Sequence, residues 1–296
     1  MKTTSPDHSK ISPTAKLVAY FRQFSDIPFS RDVATLIHAE DVLKNFSQGT
    51  NLTPEFLKWA ALAAEIRYKS IVSAIKKEGI TQVLELASGL SFRGLAMTED
   101  PEYIYVETDL PELMQEKQQI LSRIISNHGL KERKNLFFDA VNILSFPEIE
   151  SAIRHFKPNH PVAVIHEGLY HYLSMEEKER AARNIHSVLS RFGGAWITPD
   201  FLTNAEHEGR LQTHSELQNI AQGVQGTTQR DVHKTGFDNQ QQIVDFFSHL
   251  GFRSRISPQI DGSYQLTAMQ NLDISEDEFK NYKSLNFKIW ILTVEE

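Results

Sequence analysis

Beyond Gly79 the chain alternates between short apolar runs and amphipathic stretches of helical spacing, and few folds accept that pattern. The runs fall at residues 82–86, 103–106, 135–138, 162–166, 195–198, 252–256 and 287–294. Between them, Leu113, Ile120, Leu121, Ile124 and Ile125 share a helix face, and Ser174-x-x-Glu177 is a capping box that starts another helix. Residues 239–250 form a third, stopped by Gly251. Apolar strands separated by helices predict a largely parallel sheet covered on both faces. The expected fold is α/β and Rossmann-like, with seven strands, mostly parallel, and one antiparallel strand near an edge.

The first part of the chain has another texture. From Pro13 to Lys77 the spacing is helical throughout, with Leu17, Tyr20, Phe21 and Phe24 followed by Val33, Leu36 and Ile37. Thr53-Pro54-Glu55 starts the helix that carries Phe56, Leu57, Ala60, Ala64 and Ile71. So much helix ahead of any strand predicts a cap lying over a later site. The expected organisation is one domain, 1–296, with a helical cap at 1–79 and a catalytic core at 80–296. The polar segment 203–237 reads as an insertion or lid, and 261–284 contains a further helix start, Ser275-x-x-Glu278.

Composition removes several functions. The chain has no cysteine, which excludes disulfides, thiolate metal sites and Cys nucleophiles. A net charge of −7 argues against a general nucleic-acid partner. Residues 1–12 lack the apolar centre of an export signal, and no apolar run is long enough for a membrane span. The expected setting is cytoplasmic, with a small-molecule substrate and neither nucleic acid nor membrane as partner.

The candidate site begins at Thr81-Gln-Val-Leu-Glu-Leu-Ala-Ser-Gly-Leu-Ser91. An apolar strand runs into the small residues Ala87, Ser88 and Gly89, the kind of turn that admits a nucleotide at a strand's carboxyl end. Asp109 follows twenty residues after Gly89, placed to accept from ribose hydroxyls. Glu107 competes for that role, and Asp109 with Glu112 could instead cap the next helix. Asp139 ends the third strand where an adenine amino group would lie, or is a loop acid in solvent.

The fourth strand leads into His166-Glu-Gly-Leu-Tyr-His171, and a carboxylate at such a strand tip calls for a partner. The two histidines are spaced i, i+5 with a glycine between, which rules out the zinc-protease helix. No G-x-S-x-G elbow follows any strand. Arg67, late in an apolar helix, is either a carboxylate clamp or a surface arginine.

In this order the pieces resemble the class I S-adenosylmethionine-dependent methyltransferases, and more narrowly the leucine carboxyl methyltransferase-like family with its polyketide O-methyltransferases. The resemblance rests on Ser12-Pro-Thr-Ala-Lys16, Arg67-Tyr68, Glu85-Leu-Ala-Ser-Gly89, Glu107-Thr-Asp-Leu-Pro111 with Lys117, and Glu167-Gly-Leu-Tyr-His-Tyr-Leu173. It implies S-adenosyl-L-methionine as cofactor, with Arg67 on the methionine carboxylate and Glu167 on its amino group. It further implies Asp109 on the ribose, Asp139 and Ala140 on the adenine, and the turn from Glu85 through Ala87 and Gly89 beside the methionine. Lys16 and Tyr172 match positions at the cofactor and acceptor pocket. Where the family often has Gly-x-Gly before an Asp, this chain has Ala87-Ser-Gly89 before Leu90.

The reading is therefore an O-methyltransferase acting on a carboxylate or hydroxyl of a small metabolite. A hydroxyl acceptor would need a base, for which His166 or His171 is placed. Tyr20, Phe24, Tyr170 and Tyr172 are candidates for the pocket walls. Set against this reading are an S-adenosylmethionine-binding protein without turnover and a nucleotide-dependent oxidoreductase, the latter disfavoured by the missing three-glycine turn.

Overall fold

The computed structural model describes residues 12–46, 53–214, 216–218 and 236–295. Seven strands form one sheet: β1 (Gln82–Glu85), β2 (Ile104–Asp109), β3 (Leu136–Ala140), β4 (Val162–Ile165), β5 (Gly194–Thr198), β6 (Phe252–Pro258) and β7 (Lys288–Val294). Their order is β3-β2-β1-β4-β5-β7-β6. The first five strands are parallel, and β7 runs antiparallel to both β5 and β6. From β1 the chain winds outward to β3, then returns to β4 on the other side of β1. That reversal leaves a crevice beyond the carboxyl ends of β1 and β4, where α/β sheets bind ligands.

The described helices are α1 (Ser12–Arg22), α2 (Ser30–Leu36), α3 (Ala39–Phe46), α4 (Pro54–Lys77), α5 (Arg93–Met97), α6 (Pro111–His128), α7 (Phe146–Ala152), α8 (Met175–Phe192), α9 (Asn204–Thr213), α10 (Gln240–His249), α11 (Thr267–Asn271) and α12 (Glu276–Ser284). The helix starts read from sequence are formed. Thr53, Ser174 and Ser275 each accept the N–H three residues on, and the two serines complete reciprocal capping boxes.

The helical pattern from 13 to 77 resolves into α1 to α4; Phe29 and His38, both in left-handed backbone, separate α1 from α2 and α2 from α3. The 24-residue α4 joins cap to core. Its far half lays Ile71 and Ile75 on Val83, Ile165 and Ile197 of the sheet, while its near half packs Phe56, Ala60 and Ala64 against Leu17 and Phe21 of α1. Helices α7, α8 and α10 cover the opposite face, around Val164, Trp196 and Trp290. No helix among the described residues is long and apolar enough to cross a membrane.

The segment expected as an insertion or lid begins with α9, where Thr203 and Glu206 form a full capping box. Most of the remainder, residues 215 and 219–235, lies outside the described residues, and the lid reading lies there with it.

Candidate active site

Two cavities lie under the helical cap. The first, about 380 Å³, is walled by the turn after β1, the end of β2, the segment after β3 and the segment after β4. The second, about 270 Å³, is walled by α1, α4, α9, Tyr282 and Phe287. Both contain Arg67, Glu167, His171 and His207 on their walls, so they meet at one junction.

The turn after β1 is built from buried bonds. Ala87 and Gly89 hold φ of 51° and 53°, left-handed backbone that glycine adopts freely and alanine does not. Gly89 N–H donates to Asp109 Oδ2 at 2.7 Å, and Leu110 N–H donates to Oδ1 at 2.8 Å. The N-cap of α6 is Leu110, with no side-chain cap, so the Asp109–Glu112 capping box does not form. Burial raises the pKa of Asp109 against the pull of those two N–H groups. Below the turn, Lys117 Nζ donates to Ser88 Oγ at 2.8 Å and lies 2.5 Å from Glu107 Oε2. Glu107 is thereby committed to splinting the turn, and its other oxygen accepts from Gly94 N–H at 2.7 Å. Glu85 is likewise buried beneath the site, paired with Arg93 and accepting from Tyr105 Oη. Neither Glu85 nor Glu107 is among the residues lining either cavity.

Glu167 stands at the junction among three arginines. Its Oε1 lies 2.9 Å from Arg22 Nη2 and 3.7 Å from Arg67 Nε, and its Oε2 lies 3.0 Å from Arg93 Nη2. Burial works to raise its pKa, but the arginines outweigh burial and hold the carboxyl below the usual range. Arg67 also donates to Asp200 Oδ1 at 3.0 Å, so it is a clamp and not a surface cation. Asp200, just past β5, accepts from the N–H groups of Gly168 and Leu169, both at 2.8 Å, and thereby shapes the loop after β4. Burial opposes its ionisation, yet His166 and Arg67 keep it ionised well below the ordinary carboxylate range.

The histidines divide. His166 is fully buried, its Nδ1 2.9 Å from Asp200 and its ring stacked on Tyr170 at 5.0 Å, and it lines neither cavity. It holds Asp200 in place and does not reach an acceptor. His171 lines both cavities, and burial keeps it neutral, with its pKa lowered to about 3.

The structure thus brings Arg67, Ala87, Gly89, Asp109, Glu167, His171 and Tyr172 to one cavity. Other expected residues point elsewhere. Lys16 is turned to Glu116 at 2.7 Å and lines neither cavity, so its expected place at the reacting centre is not supported. Asp139 is engaged by His155 at 3.1 Å and Arg154 at 3.3 Å. The register explains this: Asp139 lies level with Thr108 and Ala140 with Asp109, so the side chains of Asp139 and Asp109 leave opposite faces of the sheet. Val141, Asn142, Ile143 and Leu144 form the wall where Asp139 and Ala140 were expected. Tyr20 and Phe24 pack on each other and line neither cavity; Phe21 lines the second.

Sequence reading missed Arg22, Arg93, Asp200 and the α9 residues His207 and Arg210. Asp200 follows a strand end, the same signal that marked Asp109. The α9 pair was recoverable from Thr203-x-x-Glu206, a capping box as plain as the two that were read. Among the described residues, no three His, Asp or Glu converge where they could hold a metal ion.

The sheet order, the reversed β7 and a cavity at the tips of β1, β2 and β4 define the class I methyltransferase fold. Two solved structures are similar over nearly their whole length. A DUF574 family protein from Streptomyces avermitilis has a TM-score of 0.56 at 14% identity, covering 96% of this chain and 97% of that one. A methyltransferase candidate from Thermobifida fusca has a TM-score of 0.56 at 13% identity, covering 100% of this chain and 97% of its own. At such identities the likeness speaks for the fold alone. No curated protein matches the chain. The family model of leucine carboxyl methyltransferase matches residues 30–186, just over half the chain, and the chain belongs to that family of S-adenosylmethionine-dependent methyltransferases.

Proposed function

We propose that the protein is an O-methyltransferase that takes the methyl group of S-adenosylmethionine and places it on a carboxylate or hydroxyl oxygen of a small metabolite in the cytoplasm. The observation that carries this reading is the meeting of two cavities at Arg67, Glu167 and His171: one has polar strand tips, the other aromatic walls.

The residues of the first cavity fit the donor. Arg67 and Arg22 would take its α-carboxylate, Glu167 its ammonium and Asp109 its ribose hydroxyls. The apolar surface of Leu110, Val141, Ile143 and Leu144 would receive the adenine. When bound, S-adenosylmethionine supplies an electrophilic methyl group on a sulfonium sulfur.

The chain's own contribution is alignment and exclusion of water. The acceptor oxygen approaches from the second cavity, whose aromatic walls keep the junction dry. His171, neutral there, accepts the proton of a hydroxyl acceptor or orients it. A carboxylate acceptor is already ionised at neutral pH and needs only positioning. Tyr172, buried on the donor side of the junction, is the second candidate to orient the reacting oxygen.

Calorimetric titration with S-adenosylhomocysteine and with NADH separates a methyltransferase from an oxidoreductase. Incubation with S-adenosylmethionine and a panel of acids and phenols, read by mass spectrometry, separates turnover from binding alone. Absence of S-adenosylhomocysteine binding would overturn the reading.

A further inference from the structure

One wall of the second cavity is not shared with the first, and it carries polar atoms that have no partner among the described residues. Arg210 on α9 has no hydrogen bond and no carboxylate within ion-pair distance among the described residues. Its guanidinium instead covers the ring of Phe287, 4.2 Å from the centroid. The acids nearest to it are already engaged. Glu206 is held by Lys288 Nζ at 2.8 Å and by Thr203 N–H at 2.9 Å, and Asp200 by Arg67 and His166.

Beside Arg210, Phe287 packs on Tyr282 at 4.9 Å, and Tyr282 on Trp59 at 6.1 Å. Trp59 Nε1 and Gln259 Oε1 are both buried without a hydrogen-bond partner among the described residues, and both residues line this cavity.

Charge at the junction is otherwise balanced: Arg22, Arg67 and Arg93 face Glu85, Glu167 and Asp200. Arg210 is surplus to that balance. Burial lowers the pKa of Arg210 to about 10, so it remains charged at neutral pH. A guanidinium in an aromatic cavity whose neighbouring acids, Glu206 and Asp200, are bound to other groups is only partly compensated, and an anionic ligand removes the remaining cost.

We infer that the methyl acceptor is an aromatic or comparably flat apolar acid, held through a carboxylate on Arg210 at a point apart from the oxygen that receives the methyl group. Ring faces of Trp59, Tyr282 and Phe287 supply the stacking surface, and the Arg210 fork supplies the selection for acid over amide. This rests on the assignment of the first cavity to the donor and the second to the acceptor.

The test is calorimetry on protein saturated with S-adenosylhomocysteine, using two matched pairs: 4-hydroxycinnamate with its primary amide, and 2-naphthoate with its primary amide. The acid of at least one pair should bind about tenfold or more tightly than its amide. Arg210→Met should abolish that preference and Arg210→Lys should retain part of it, with S-adenosylhomocysteine affinity unchanged in both. Equal binding of acid and amide, no binding of either acid, or a preference that survives Arg210→Met overturns the inference and leaves the methyltransferase reading intact. Failure of the unaltered protein to bind S-adenosylhomocysteine overturns both.

Discussion

Arg93 Nη2 lies 3.0 Å from Glu167 Oε2, so a side chain with no exposed surface holds the carboxylate that the donor cavity presents. The same guanidinium pairs with Glu85 at the end of β1 and covers the ring of Tyr68, 4.5 Å from its centroid. Glu85 is level with Ile165 in the neighbouring β4, two residues short of Glu167, which is why one arginine spans both.

Removing that arginine leaves the buried Glu85 with no cation and Glu167 with Arg22 and Arg67 alone. Arg93→Met should cost about 3–5 kcal/mol of unfolding free energy, the usual penalty for breaking one side of a buried pair. Adding Glu85→Gln should recover part of it. Urea unfolding of the single and double variants decides the matter; an Arg93→Met protein as stable as the parent would show the pair to be dispensable.

The sheet was legible because each strand is an apolar run with a break at either end, and because Thr53, Ser174 and Ser275 advertise helix starts. Asp109 and Glu167 were legible for a related reason, as acids at strand tips where burial demands a partner. Asp139 satisfied the same rule and still faces away, since a residue's face depends on register with its neighbour and register is a long-range property. Arg22 and Arg93 were hidden because the carboxylate they share, Glu167, lies far off in sequence: Arg93 reaches it across 74 positions. The α9 wall offered one signal, the Thr203-x-x-Glu206 cap; a polar helix has no apolar stripe to show which of its residues face a cavity.

Asp109 has a structural bond to the Gly89 turn as well as its place in the donor cavity. Asp109→Asn should therefore lower S-adenosylhomocysteine affinity by about tenfold or more while costing only about 1–2 kcal/mol of stability. Calorimetry and a thermal melt separate the two effects. Unchanged affinity would remove Asp109 from the donor site.

Ala87 sits at φ 51° in the turn against which the donor would lie. Left-handed backbone costs an alanine about 1–2 kcal/mol, and glycine returns about 0.5–1 kcal/mol of that through its freer unfolded chain. Ala87→Gly should thus raise stability by up to about 1.5 kcal/mol. Ala87→Val should lower it by more than the alanine penalty and block donor binding, because a branched side chain is both strained there and directed at the cavity. A melt and a titration on each variant check the pair, and a destabilised Ala87→Gly would contradict the backbone argument.

His171 gives a pH dependence with a definite sign. Burial lowers its folded pKa to about 3, against an ordinary value of 6.5. It is partly accessible, and it lines both cavities. Between these two values the unfolded chain binds the proton and the folded chain does not, so stability contributed by the neutral ring is complete above pH 6.5 and is lost as the pH falls towards 3. Asp200, also held low, adds its own loss only below the ordinary carboxylate range. The window from pH 6.5 to about 4.5 therefore belongs mainly to histidine. Urea unfolding at stepped pH should show stability declining through that window, and His171→Gln should make the decline shallower. An unchanged slope in the variant would mean that His171 is solvated at the junction and is as free to take up a proton as any surface histidine.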